Sequence, residues 1–192
     1  MSLKTYLITG ANRGIGLGLT TSLLARSNVL VIAAVRDISS SSSKTLSSLP
    51  TGPSSKLIVV KVDAASPTDA FDAAATLQTQ HGISKLDVVI ANAGISKYYG
   101  PAATTPLSEV RDHYEVNVLG PLAIFQATWP LLEKSTAPIF VAVSTGAASI
   151  GDMGDIPLAV TAYGASKTAL NYVIRKIHFE NEKLIAFPIS PV

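Results

Sequence analysis

The sequence predicts an α/β fold on a doubly wound parallel sheet, covered on both faces as three α/β/α layers, and three observations carry the prediction. Six short apolar runs rich in β-branched residues alternate with segments long enough for crossover helices. The runs are apolar at successive positions instead of alternating with polar ones, as parallel strands buried on both faces require. At 192 residues, with 47% hydrophobic and 15% charged residues, the chain suits one well-buried domain spanning 1–192.

The first run, TYLIT (5–9), leads into TGANRGIG (9–16) and a helical pattern continuing through LGLTTSLLARS. NVLVIAAV (28–35) is the second strand. The Ser/Pro-rich DISSSSSKTLSSLPTGPSS after it reads as a long flexible connection, because the sheet pattern resumes at once in KLIVVKV (56–62). Ser66-Pro67 offer a cap and a first-turn proline for TDAFDAAATLQTQ, which Gly82 closes. LDVVIAN (86–92) is the fourth strand. Leu107 to Leu132 carries a long helical pattern, with a bend or break expected at Gly120-Pro121. PIFVAVS (138–144) is followed by a crossover helix over Thr161 to Glu182. In KLIAFPI (183–189), Leu184 to Phe187 read as a buried strand passing into a loop at the prolines.

Composition excludes several kinds of chemistry. Without cysteine there is no disulfide, thiolate nucleophile or cysteine-ligated zinc. His81, His113 and His178 show no paired ligand spacing, so no metal site is expected and each reads as a surface or loop residue. A net charge of +2, with the basic residues scattered, argues against nucleic acid and against a polybasic membrane surface. No apolar run approaches the roughly 20 residues of a membrane span, and no secretory signal is evident; a cytoplasmic protein acting on a small molecule is the expectation.

Glycines 10, 14 and 16 stand between a strand and a helix. They permit a tight turn, backbone approach to an anion and close strand-to-helix packing, while the helix N-terminus offers free amides and a positive dipole end. A pyrophosphate would sit there. Farther along, Tyr163 and Lys167 lie four apart on one helix face. A free tyrosine near pKa 10 holds its proton tightly, so a neighbouring ammonium would ease its release. Tyr172 and Lys176 repeat the spacing nine residues later; about 900° of helix turns that pair to the opposite face, as a surface or subunit contact.

The ordered motifs TGANRGIG, ANAG (91–94), VNVLG (116–120) and YGASK (163–167) make the chain resemble the short-chain dehydrogenase/reductase family, in particular its fungal carbonyl reductases and ketoreductases. The resemblance spans essentially the whole chain and implies a Rossmann-type NADP(H)-binding domain. By resemblance Tyr163 is the proton donor, and Lys167 lowers its pKa while holding the nicotinamide ribose. Asn117 then bends its helix and places a water that reconnects the lysine to solvent. The family's catalytic serine falls in FVAVSTGAAS, where the strand register favours Thr145 as the substrate-facing hydroxyl and Ser144 is the alternative.

For the cofactor, the resemblance places Gly10, Asn12, Arg13, Gly14, Ile15 and Gly16 around the pyrophosphate, Asp63 and Val62 at the adenine, and Asn92, Ala93 and Gly94 along the ribose. Users of NAD need a carboxylate at the end of the second strand. That strand ends in AAVRD, so Arg36, with Arg13 as a second cation, points to the 2′-phosphate of NADP(H), and Asp37 faces the other way. The segment GAASIGDMGDIPLAVTA, with SKYYGPA after the fourth strand, is expected to form a pocket wall from Tyr98, Tyr99, Met153 and Ile156. An NADPH-dependent reduction of a bulky hydrophobic ketone or aldehyde follows from the resemblance. The alternative is a member that keeps the nucleotide site without redox turnover, as a regulatory subunit or in a dehydration or cyclisation. In the family the sixth strand leads into a substrate lid and a last edge strand; the sequence ends at Pro191-Val192, so both are expected to be missing and the open edge to be covered in a homo-oligomer.

Overall fold

The computed structural model describes residues 3–155 and 158–190, in which six parallel strands form one sheet ordered β3-β2-β1-β4-β5-β6. The strands are β1 (Lys4–Thr9), β2 (Val29–Val35), β3 (Lys56–Lys61), β4 (Val88–Ala91), β5 (Ile139–Val143) and β6 (Ile185–Ile189). Helices α1 (Gly14–Leu24), α3 (Asp69–Thr79), α5 (Gly120–Leu132) and α6 (Thr161–Glu180) make the crossovers; α4 (Leu107–Tyr114) precedes α5, and the short α2 (Ser41–Lys44) lies beside β2. The order reverses between β1 and β4, and this switch point opens a crevice at the carboxyl ends of the strands.

Successive side chains of a strand serve opposite faces. In β2, Leu30, Ile32 and Ala34 belong to the core under α3, α5 and α6, while Val29, Val31, Ala33 and Val35 belong to the core under α1. Two buried faces explain why the strand is apolar at every position. Strand β6 differs. Ile185 is 54% and Phe187 39% exposed, because their face lies beyond the reach of α1, so the expected fully buried strand is half-buried. Its Pro188 is paired opposite Ala142 within the strand instead of ending it, which an edge strand permits.

The serine-rich stretch corrects the expectation of a flexible connection. The Ser40 hydroxyl caps α2 by accepting the Ser43 amide N–H, the Ser43 hydroxyl donates to the Asp37 carbonyl at 2.6 Å, and a 3-10 turn over Thr45–Ser48 buries Leu46 completely in the α1-side core. Serines that bond their own backbone build an ordered cap here. The interruption of the long helix also falls earlier than Gly120-Pro121: a π-helical turn over Glu115–Leu119 joins α4 to α5. Gly120 instead allows contact with Ala64, whose carbonyl would lie 2.8 Å from an added Cβ.

Candidate active site

A cleft of about 400 Å³ lies over the switch point, lined by Gly10, Asn12, Arg13, Arg36, Val62, Asp63, Asn92, Ala93 and Gly94 among others. These expected cofactor residues therefore converge. Gly14, Ile15 and Gly16 do not line it; Ile15 is exposed, and Gly16 works from beneath. Gly10 and Gly14 take positive φ of 64° and 52°, which a glycine adopts without strain. At Gly16 an added Cβ would strike the Gly10 carbonyl and stand 2.6 Å from Asn92 Nδ2.

That crowding reflects a clasp the sequence reading missed. The Thr9 hydroxyl accepts the amide N–H groups of Asn92 and Ala93, both at 3.0 Å, while Asn92 Nδ2 donates to the Thr9 and Gly10 carbonyls at 2.9 and 3.3 Å. The glycine loop and the end of β4 are thus held as one rigid rim. Substitution of Gly16 by Ala is expected to destabilise the fold by about 2 kcal/mol through overpacking and to weaken nucleotide binding, measured by melting and by coenzyme titration.

At the outer end of the cleft, Asn12 Nδ2 donates to the Ser42 and Ser43 hydroxyls at 2.8 and 3.2 Å, so the serine turn helps form the rim. Ser40 and Ser42 also line the cleft, a role hidden in a low-complexity run. Arg13 and Arg36 are both exposed, and among the described residues neither has a carboxylate partner. The Asp37 carboxylate is taken up by the Ser39 hydroxyl and amide at 2.6 and 2.8 Å, which hold its pKa below the ordinary carboxylate value. An anion facing this end meets two free guanidiniums and a carboxylate already engaged. The crowded glycine turn, the exposed cations and the size of the cleft fit a nicotinamide dinucleotide.

Tyr163, Lys167, Thr145, Ser144 and Asn117 stand outside the cleft lining, grouped beyond Gly94. Gly94 joins the two regions: an added Cβ there would lie 3.0 Å from Asn117 Oδ1 and 3.4 Å from Lys167 Nζ. Lys167 is buried, donates to the Val143 carbonyl at 2.7 Å, and is pushed by burial from its ordinary 10.5 down to about 8. Its ammonium lies 5.9 Å from the Tyr163 ring centre. The half-buried Tyr163 phenol is raised above its ordinary value, chiefly by desolvation, while the neighbouring Thr145 side chain acts against the rise. The expected lowering by Lys167 is therefore not what this geometry shows, since the ammonium is turned to the β5 carbonyl.

The two candidate hydroxyls separate clearly. Ser144 is buried and donates to Asn171 Oδ1 at 2.7 Å, away from the phenol, whereas Thr145 faces Tyr163. Asn117, fully buried on the π turn, accepts the Ile95 amide at 2.8 Å and donates to the Ile95 carbonyl and the Ser166 hydroxyl at 2.9 and 3.0 Å. It ties the end of β4 to α6.

Tyr172 is 70% exposed, and Lys176 is paired with Glu180 at 2.7 Å, so the second Tyr-Lys pair is outside the site. Of the expected wall, Tyr99 and Met153 are exposed, the Tyr98 ring packs on Gly100, and Ile156 lies outside the described residues. His113 corrects the surface expectation: its imidazole is fully buried between the Glu109 carbonyl and the Lys97 amide. None of the helices among the described residues is long and apolar enough to cross a membrane.

Comparison with known proteins agrees with this architecture. The short chain dehydrogenase family profile matches residues 4–186. Norsolorinic acid ketoreductases from Dothistroma septosporum and Emericella nidulans are 48% and 44% identical, each alignment covering 97% of this chain and 70% and 71% of those proteins. The enzyme of that name from Aspergillus parasiticus is 43% identical, over 97% of this chain and 69% of its own length. Among solved structures, NADPH-bound carbonyl reductase from chicken fatty liver superposes with a TM-score of 0.87 at 28% identity, covering 100% of this chain and 76% of that one. With the profile spanning nearly every described element and close relatives along the same length, the chain belongs to the short-chain dehydrogenases, a family of oxidoreductases.

Proposed function

We propose that this oxidoreductase is an NADPH-dependent ketoreductase that reduces the carbonyl of a hydrophobic ketone, with Tyr163 as proton donor. The observation that carries the reading is the grouping of a protonated phenol, a hydroxyl and a buried ammonium beyond Gly94, which lines a cleft that also presents the exposed Arg13 and Arg36 guanidiniums. The norsolorinic acid ketoreductases and the NADPH-bound carbonyl reductase support it from the comparisons.

In this reading Arg13 and Arg36 hold the 2′-phosphate, Asp63 and Val62 the adenine side, the glycine turn the pyrophosphate, and Asn92 to Gly94 the ribose. Bound NADPH supplies the hydride that the carbonyl carbon accepts. The Tyr163 hydroxyl gives its proton to the carbonyl oxygen as negative charge gathers there, completing the alcohol, and the phenolate left behind regains a proton from solvent. A phenol raised by burial stays loaded at neutral pH until an alkoxide pulls on it. Thr145 donates a hydrogen bond to the same oxygen, which lowers the barrier most when that oxygen is most negative. The Lys167 ammonium, 5.9 Å from the Tyr163 ring centre, would help hold the nicotinamide ribose, and Asn117 holds the two sides of the site together.

The deciding experiment mixes the purified chain with NADPH or NADH and a panel of hydrophobic ketones, norsolorinic acid first. Coenzyme consumption should match alcohol formed, with NADPH bound at least about tenfold tighter than NADH. Binding with no alcohol from any ketone would support the nucleotide-binding alternative, and a preference for NADH would overturn the coenzyme assignment. Thr145→Ala should lower kcat about 100-fold with little change in melting. By contrast, Ser144→Ala should keep most of the turnover and lose about 1 kcal/mol of stability, because Asn171 is left without its donor.

A further inference from the structure

The segment 95–100 runs from the end of β4 to the threshold of α6 and is held at three points. Asn117 binds the Ile95 backbone at one end. At the other, the Gly100 amide donates to the Ala159 carbonyl at 2.7 Å, and the Gly100 carbonyl accepts the Thr161 hydroxyl at 3.1 Å, two residues before Tyr163. Between them Lys97 is gripped twice. Its amide N–H donates to His113 Nε2 at 3.3 Å, and its ammonium meets Asp112 Oδ2 at 2.6 Å and Glu109 Oε2 at 3.8 Å.

The surroundings of His113 assign its tautomer. Nδ1 faces two acceptors, the Glu109 carbonyl at 2.7 Å and carboxylate oxygen Oε2 at 3.8 Å, while Nε2 faces only the Lys97 N–H. The ring therefore carries its proton on Nδ1 and offers a lone pair at Nε2. Glu109 Oε2 is buried with no hydrogen-bond partner, so its charge is left to the ring N–H and the Lys97 ammonium. No solvent reaches the imidazole, and one helical turn separates it from Asn117.

We propose that His113 is a positioning residue for the substrate: with Asn117 it sets the path of 95–100, which carries the exposed Tyr99 from the end of β4 to the threshold of α6. The inference rests on the ketoreductase reading for its kinetic consequence, but not for its structural one.

Two variants separate the roles. His113→Leu fills the space but removes the acceptor, and should raise KM for the ketone about tenfold, with kcat and NADPH affinity within about twofold. Amide exchange at 97–100 should quicken about tenfold while β1 and β4 stay protected. His113→Gln, whose amide can accept from Lys97 and donate to Glu109, should restore both. An unchanged KM in His113→Leu, equal damage in both variants, or unaltered exchange at 97–100 would overturn the proposal. If the wild-type chain reduces no ketone, the ketoreductase reading has failed, and exchange alone decides whether His113 holds the segment. If His113→Leu does not fold, Asp112→Asn at its exposed position takes its place: faster exchange at Lys97 supports the grip, and unchanged exchange overturns it.

Discussion

Replacing Tyr163 with Phe should reduce turnover about 1,000-fold while leaving NADPH affinity and melting temperature close to those of the unaltered chain. The substitution removes one oxygen and preserves the ring, so the 5.9 Å relation to the Lys167 ammonium survives. What disappears is the phenol hydroxyl beside Thr145. General acids contribute about 100- to 10,000-fold to such reactions, and the more acidic Lys167 ammonium nearby is directed at the β5 backbone. Lys167 is bonded to the Val143 carbonyl and Asn117 to Ile95 and Ser166. Single-turnover measurement with saturating NADPH would check the result; a variant that keeps more than a tenth of the wild-type rate would remove Tyr163 from the donor role.

Lys167→Met should give the opposite pairing, an inactive protein that is more stable. Burial holds the lysine near pKa 8 against an ordinary 10.5. Between those values the unfolded chain binds the proton that the folded chain has lost, so folding stability rises as pH rises from about 8 to about 10.5. Below pH 8 both states are charged and the folded protein carries the full penalty, about 3 kcal/mol from the size of the shift. A methionine of similar length removes that penalty but leaves the Val143 carbonyl unpaired at about 1 kcal/mol. The net gain is about 2 kcal/mol at pH 7, and it disappears above pH 10.5. Denaturant unfolding of the two proteins at pH 7 and pH 10.5 would check it. A variant less stable than wild type at pH 7 would show that the ammonium's bond to β5 outweighs its desolvation.

Much of this site is legible along the chain because its geometry is local. Spacing places Gly10, Gly14 and Gly16 in one turn and Tyr163 and Lys167 on one helical face, and rotation per residue settles that Tyr172 and Lys176 look elsewhere. Arg36 follows from the end of a recognisable strand. The serine-rich run misled for a physical reason: a composition that suits a flexible linker also suits hydroxyls that cap their own backbone, and only the burial of Leu46 decides between them. His113 misled likewise, since a lone histidine has no periodic partner and its ligands, Lys97 and Glu109, come from two different elements.

By itself the sequence determined the parallel sheet, the glycine turn at its switch point and the helix that carries Tyr163 and Lys167, since each depends on residues near in the chain. Tertiary structure alone decided that Thr145 and not Ser144 faces the phenol, because a strand end can turn either hydroxyl inward until Asn171 captures one. It also decided that Lys167 is desolvated and drawn to β5, and that the rim is clasped by Thr9 and Asn92. Those outcomes depend on partners 24 and 83 residues away, whose approach no local pattern encodes.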